Sequence, residues 1–196
     1  MPIITILIII TIIVLAVSGV DYDVYNQGAR YLSWFLTPAT VCLAIPLYEQ
    51  LELLKKNAVA IFAGVFAGVL TSVVLVLVFA LVFGFDHSEY VTFLPKSITT
   101  AIGMGVSEQM GGNVSITVIT IIITGVVGNI LGEPVLKLFR IHNPIAKGIG
   151  MGSSAHAIGT AKAMELGEVE GAMSGLSIAV AGLMTVVMSA IFAAFL

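Results

Sequence analysis

Gly148 to Gly175 reads GIGMGSSAHAIGTAKAMELGEVEGAMSG, a polar, glycine-rich stretch inside a very apolar chain. A membrane protein keeps such residues at depth only where broken backbone and polar side chains line a protected cavity. Ser97 to Gly112, SITTAIGMGVSEQMGG, echoes it. Shifted by 56 positions (97 to 153), Ser97, Ala101, Ile102, Gly103 and Gly111 fall on Ser153, Ala157, Ile158, Gly159 and Gly167. Two related broken segments in one small chain point to a small-solute site built from internal repeats.

The rest of the composition sets the solvent. Of 196 residues, 59% are hydrophobic and 10% charged, and the mean hydropathy is +1.12. Soluble domains carry about 25% charged residues, so the chain reads as an integral membrane protein. Its length allows roughly six to eight embedded segments at about 20 residues each. The formal charge of −3 comes with no basic, aromatic-interleaved patch, so no nucleic-acid partner is expected. Cys42 is the one cysteine, which excludes an internal disulfide and a multi-cysteine metal site. Met1 to Val20 has no Lys or Arg, hence no positive n-region, and is read as a retained spanning helix.

Five spans are expected: Pro2–Val20, Tyr31–Tyr48 (broken at Pro38 and Pro46), Ala58–Phe85, Asn113–Gly132 and Ala172–Leu196. Asp21–Arg30, Glu49–Asn57 and Glu133–Lys147 read as connecting pieces. Gly64 and Gly68 form a GxxxG pair, a signal for close helix packing. Lys55, Lys56, Lys137, Arg140 and Lys147 mark the cytoplasmic side, Asp86 and Glu89 the outer side. Counting crossings, Phe93–Gly112 enters and leaves outside, Gly148–Gly167 inside. The expected fold is therefore an all-α polytopic membrane protein, a single domain over residues 1–196, with about five spanning helices and two broken or re-entrant segments forming an inverted repeat.

The candidate site residues are Thr99, Thr100 and Gly103 from the first segment, and Ser153, Ser154, His156, Gly159, Thr160 and Lys162 from the second. On one reading, hydroxyls, half-helix N-termini and a cation bind a small anion, with His156 able to switch its proton near neutral pH. On the other, the hydroxyls bond their own helix backbone and His156 bridges two helices. Lys162 and Glu165, three apart, could form an interfacial pair. Lys96 sits close in sequence to Asp86 and Glu89 and is assigned to a solvated outer position. Glu168 and Glu170 are expected at the membrane surface. Asn26, Thr37, Pro38 and Thr40 flank the site only weakly. Ser154 and His156 have no orienting acid at a convincing spacing, and the three histidines are far apart in sequence. Neither an enzyme, a cofactor nor a metal is expected.

Several stretches resemble the LrgB/CidB family of bacterial membrane proteins, and the likeness covers nearly the whole chain. They are 143–148 (NPIAKG), 154–163 (SAHAIGTAKA), 167–175 (GEVEGAMSG), 35–48 (FLTPATVCLAIPLY) and 97–100 (SITT). The chain departs from the family pattern at Ala101, where proline is common, and at Ala155, where serine is usual. Family members tend to have one more N-terminal helix, which this chain is expected to lack. The resemblance implies two roles. One is an antiholin-like or holin-like partner of a small LrgA/CidA-type membrane protein, controlling murein hydrolases and autolysis. The other is carriage of small carboxylates, pyruvate in bacteria and glycolate and glycerate in the related plant plastid translocator. The expected activity is transport of a small monocarboxylate across the inner (plasma) membrane by a homo-oligomer, with an indirect effect on autolysis.

Overall fold

Three long apolar runs fix the frame. In the computed structural model, which describes residues 3–34, 48 and 51–196, every regular element among the described residues is helical. The helices are α1 (Ile3–Ser18), α2 (Tyr22–Ser33), α3 (Leu51–Phe83), α4 (His87–Phe93), α5 (Thr100–Gln109), α6 (Val114–Leu138), α7 (Pro144–Leu166) and α8 (Glu168–Phe192), followed by a 3₁₀ turn at Ala193–Phe195. Among the described residues, stretches of α3, of α6 and of α8 with its 3₁₀ turn are long and apolar enough to cross a membrane: Lys55–Phe83, Val114–Leu138 and Glu168–Phe195.

Their packing is inverted relative to a soluble bundle. Ser107, Thr117, Asn129, Ser174, Ser177 and Ser189 are buried, while Phe62, Phe79, Leu81, Ile119, Ile123 and Leu183 are exposed. Large apolar groups turned outward suit lipid, and small hydroxyl residues inside let helix backbones approach closely. Ile61, Val65 and Val69 of α3 pack with Ile149 of α7 and Met173 of α8.

The short elements are fixed by caps. Gly84, at φ 69°, ends α3, and the Phe85 amide donates back to the Ala80 carbonyl at 2.9 Å. A capping box starts α4: Asp86 accepts from the Glu89 amide at 2.8 Å and Glu89 accepts from the Asp86 amide at 3.0 Å. Asn113 and Asn143 cap α6 and α7, and Pro144 occupies the first turn of α7, where a missing amide costs nothing.

Both polar segments are hairpins. In the first, α4 leads into a turn at 94–99 and α5 returns, so that Ser88 Oγ donates to the Gly111 carbonyl at 3.0 Å and the Asn113 amide donates to Thr92 Oγ1 at 2.7 Å. In the second, α7 breaks at His156 (φ 42°, ψ −139°) and the two halves run side by side along α8. Methyl groups built on Gly148 and Gly171 would meet Met173 and Met164, tying both halves to the first turns of α8. The first hairpin starts and ends at the N-terminal end of α6, near Asn113. The second starts and ends at the C-terminal end, where Lys162 reaches Glu133 at 2.9 Å. They enter from opposite ends of α6.

Some boundaries differ from the sequence reading. Asp21–Arg30 is largely helical: Asp21 Oδ1 accepts from the Asp23 amide at 2.9 Å and caps α2. From Leu51 onward the Lys55–Lys56 stretch belongs to α3, because Leu51–Asn57 carries strong helix formers. Helix α6 runs through Gly132 and Pro134 to Leu138, into the expected connector. Glu170 is buried rather than at the surface, held by Lys147 at 3.5 Å. Most of the expected second span, including Thr37, Pro38, Thr40 and Pro46, lies outside the described residues.

Candidate functional site

The two hairpin tips converge on Ile121, about a third of the way along α6. The Ile121 carbonyl accepts from His156 Nε2 at 2.9 Å, and the Ile121 side chain fills the space that a methyl on Gly103 would take. Because the acceptor is a carbonyl, Nε2 carries the proton. Gly125 makes room for the ring: a methyl there would stand 2.6 Å from His156 Cε1. His156 holds a positive φ that favours glycine, a strain of about 1–3 kcal/mol for another residue. The imidazole anchor and the packed neighbours hold that turn in place.

Beside the tips is a cavity of about 450 Å³, within the usual range for small-molecule sites. Helix α3 gives it Gly68, Thr71 and Ser72, and the first hairpin gives Lys96 and Ser97. Helix α6 adds Thr124 and Gly128, and α7 adds Ser153 and Ser154. Ser72 and Ser97 share a hydrogen bond at 3.1 Å, and Lys96 Nζ donates to Ser97 Oγ at 3.0 Å. Ser72 stands about 25 Å along α3 from Lys55 and about 17 Å from Phe83, at about 1.5 Å per residue, so the cavity is at membrane depth.

The 56-residue shift runs through this lining. Ser97 corresponds to Ser153, Gly68 to Thr124, Thr71 to Val127 and Ser72 to Gly128, and every member of these pairs lines the cavity. The turns obey the same register. Helix α5 begins at Thr100, and the break in α7 falls 56 positions later (100 to 156), at His156.

A second cavity of about 460 Å³ sits toward the basic end, lined by Asn57, Gly64, Asn143, Ile149 and Gly150 among others. Gly68 and Ser153 line both. The Gly64–Gly68 pair thus packs against α7, its built methyls 3.2 Å from Ile149 and 2.9 Å from Ser153 Oγ.

Not all the residues expected at a site gather here. Ser153 and Ser154 line the cavity. Thr99 and Thr100 cap and open α5 at the first tip, and Gly103 is buried against Ile121, but none of the three is part of the lining. His156 is an anchor at the second tip. Gly159 packs within the second hairpin against Ala155, and Thr160 bonds the His156 carbonyl at 3.0 Å and Ser174 Oγ at 2.7 Å. Lys162 is a correction: it lies away from the cavity, paired with Glu133 at 2.9 Å and Glu165 at 3.0 Å at the basic end. Lys96 is the converse, half-buried at the cavity rather than solvated outside. The turn at 94–99 carries it back toward the middle of α3, which its sequence distance from Asp86 does not reveal. Ser72, Thr124 and Gly128 are absent from the sequence reading; extending the shift into the flanking helices would have found them. Asn26 is exposed on α2. Among the described residues no group of His, Cys, Asp and Glu could hold a metal.

Three lipid-suited helices with two opposed hairpins between them define a polytopic α-helical membrane protein. The match to the LrgB-like family spans residues 1–195, and the chain belongs to that family. Antiholin-like protein LrgB of Bacillus mycoides (strain KBAB4) is 39% identical over 185 residues, covering 94% of this chain and 80% of that protein. Proteins of the same name from Bacillus cereus (strain B4264) and Bacillus anthracis (strain CDC 684 / NRRL 3495) are 38% identical over the same shares. No solved structure matches the chain.

Proposed function

We propose that the chain carries small monocarboxylates of the pyruvate or glycolate class by alternating access around the cavity between Ser97 and Ser153. The observation that carries this is the meeting of two opposed hairpins at Ile121, with shift-equivalent serines on one cavity at membrane depth. Broken segments in corresponding positions of two halves are the signature of carriers with inverted repeats. A nonspecific pore needs no such matched pair. The N-terminus of α5 and that of the second half of α7 both start at the tips, where the positive ends of their dipoles favour an anion. By the positive-inside rule the end bearing Lys55, Lys56, Lys137 and Arg140 faces the cytoplasm of the inner membrane.

The name shared by the relatives favours a second reading: an antiholin-like regulator of murein hydrolases without a substrate of its own, acting with a small LrgA/CidA-like membrane protein or as a homo-oligomeric pore. On the carrier reading, any effect on autolysis follows from altered carboxylate flux.

Uptake of labelled pyruvate, glycolate and lactate by proteoliposomes, with and without a pH gradient, separates the two. Saturable uptake that discriminates among solutes supports the carrier. Release of trapped dye, or no uptake by folded protein, overturns it.

A further inference from the structure

The cavity at Ser97 and Ser153 is charged as well as hydroxyl-lined. Among the described residues Lys96 is the charged group that lines it, and no Asp or Glu does. Lys96 makes no ion pair among the described residues; the pairs there belong to Lys137, Lys147 and Lys162. An ammonium at membrane depth without a counter-charge is costly and marks a site for an anion.

Of the hydroxyls around it, three are committed to backbone carbonyls. Thr71 donates to the Ala67 carbonyl at 2.7 Å, Ser153 to Ile149 at 2.7 Å and Ser154 to Gly150 at 2.6 Å. Ser72 and Ser97 bond each other. An ammonium has three N–H donors, and Lys96 gives one to Ser97. Lys96 is therefore the lining side chain with both charge and donors left for a ligand. The depth of the cavity argues for a small free anion over a lipid headgroup, whose charge stays at the interface.

We infer that Lys96 is the residue that ion-pairs with the substrate carboxylate, held in place by Ser97 and Ser72. This rests on the carrier reading and names the charge at its site. It also moves the binding cation from Lys162 in the second hairpin to the first.

The test uses the purified full chain, with equilibrium dialysis against labelled pyruvate run beside uptake into proteoliposomes. Lys96→Met is expected to weaken pyruvate binding by at least about tenfold, as loss of one partner of a buried charge pair does. Lys96→Arg should keep more of the affinity than Met, because it keeps the charge. Lys56→Gln, which removes a charge at the basic end of α3, should bind as the parent does. Should Lys96→Met fail to fold, the unaltered chain decides: pyruvate should bind about tenfold or more tightly than its neutral amide. Equal binding of pyruvate by Lys96→Met, or of acid and amide by the parent, overturns the assignment. Binding without transport, lost in Lys96→Met, sinks the carrier reading and leaves the assignment standing. Transport with unchanged half-saturation in Lys96→Met does the reverse. A folded parent that neither binds nor transports overturns both.

Discussion

Gly68 of α3 and Ser153 of α7 touch where two cavities meet: a methyl on Gly68 would stand 2.9 Å from Ser153 Oγ, and both residues line the cavity at the basic end and the one at Lys96. On the carrier reading, this contact is the narrow point between the two cavities through which the solute passes. Gly68→Ala should push Ser153 off the Ile149 carbonyl and slow uptake severalfold, and Gly68→Val should abolish it. Overpacking of this kind costs about 1–3 kcal/mol, so both variants should stay folded. Initial uptake rates in proteoliposomes check this. Full-rate uptake by Gly68→Val would show that solute does not pass this point.

The turn at His156 combines a positive φ with a hydrogen bond to Ile121. Both His156→Ala and His156→Gly lose the bond, but only glycine relieves the backbone. His156→Gly should therefore be more stable than His156→Ala by about 1 kcal/mol. Thermal unfolding in detergent gives the order; the reverse order would mean that the turn is not held in this conformation.

Gly125 and His156 should be coupled. Gly125→Ala drives a methyl to within 2.6 Å of the imidazole and should destabilise by about 1–3 kcal/mol. With His156→Ala already in place the ring is gone, and the same change should cost much less. A double-mutant cycle with an interaction energy below about 0.5 kcal/mol would contradict this contact.

Lys162 bridges Glu133 and Glu165 with its side chain 20% exposed, and Glu165 is 57% exposed. Pairs so accessible to solvent contribute about 0–1 kcal/mol. Lys162→Ala should lower stability by no more than that and leave the half-saturating concentration for uptake unaltered. A large rise in that concentration would return Lys162 to the binding site.

The opposed entry of the hairpins can be read by labelling. In a chain with Cys42→Ser, a cysteine at Ser88 should react with an impermeant reagent from the side of Asp86, and one at Lys147 from the opposite side. Labelling of both from one side would refute the arrangement.

Much of this was legible in the residues. An apolar composition with polar, glycine-broken segments defines a membrane protein with two interrupted elements, and the 56-residue echo gives their register. Lys and Arg gather at the ends of the apolar runs, because transfer of charge is what the bilayer resists most. The boundaries of α2 and α3 were less legible, since Asp21–Arg30 and Leu51–Asn57 are polar enough to read as loops yet cap and propagate as helix.

The membership of the site was decided by the tertiary structure. Sequence distance put Lys96 with Asp86 and Lys162 with His156. The hairpin turn at 94–99 instead carries Lys96 to Ser72, and the reversal at His156 sends Lys162 back to Glu133 at the basic end. Which cation faces the cavity depends on where a chain reverses and how closely glycine lets two helices approach, and those are properties of packing among α3, α6 and α7. The residues alone determined that polar side chains must be sheltered from lipid; the fold determined which of them share a cavity.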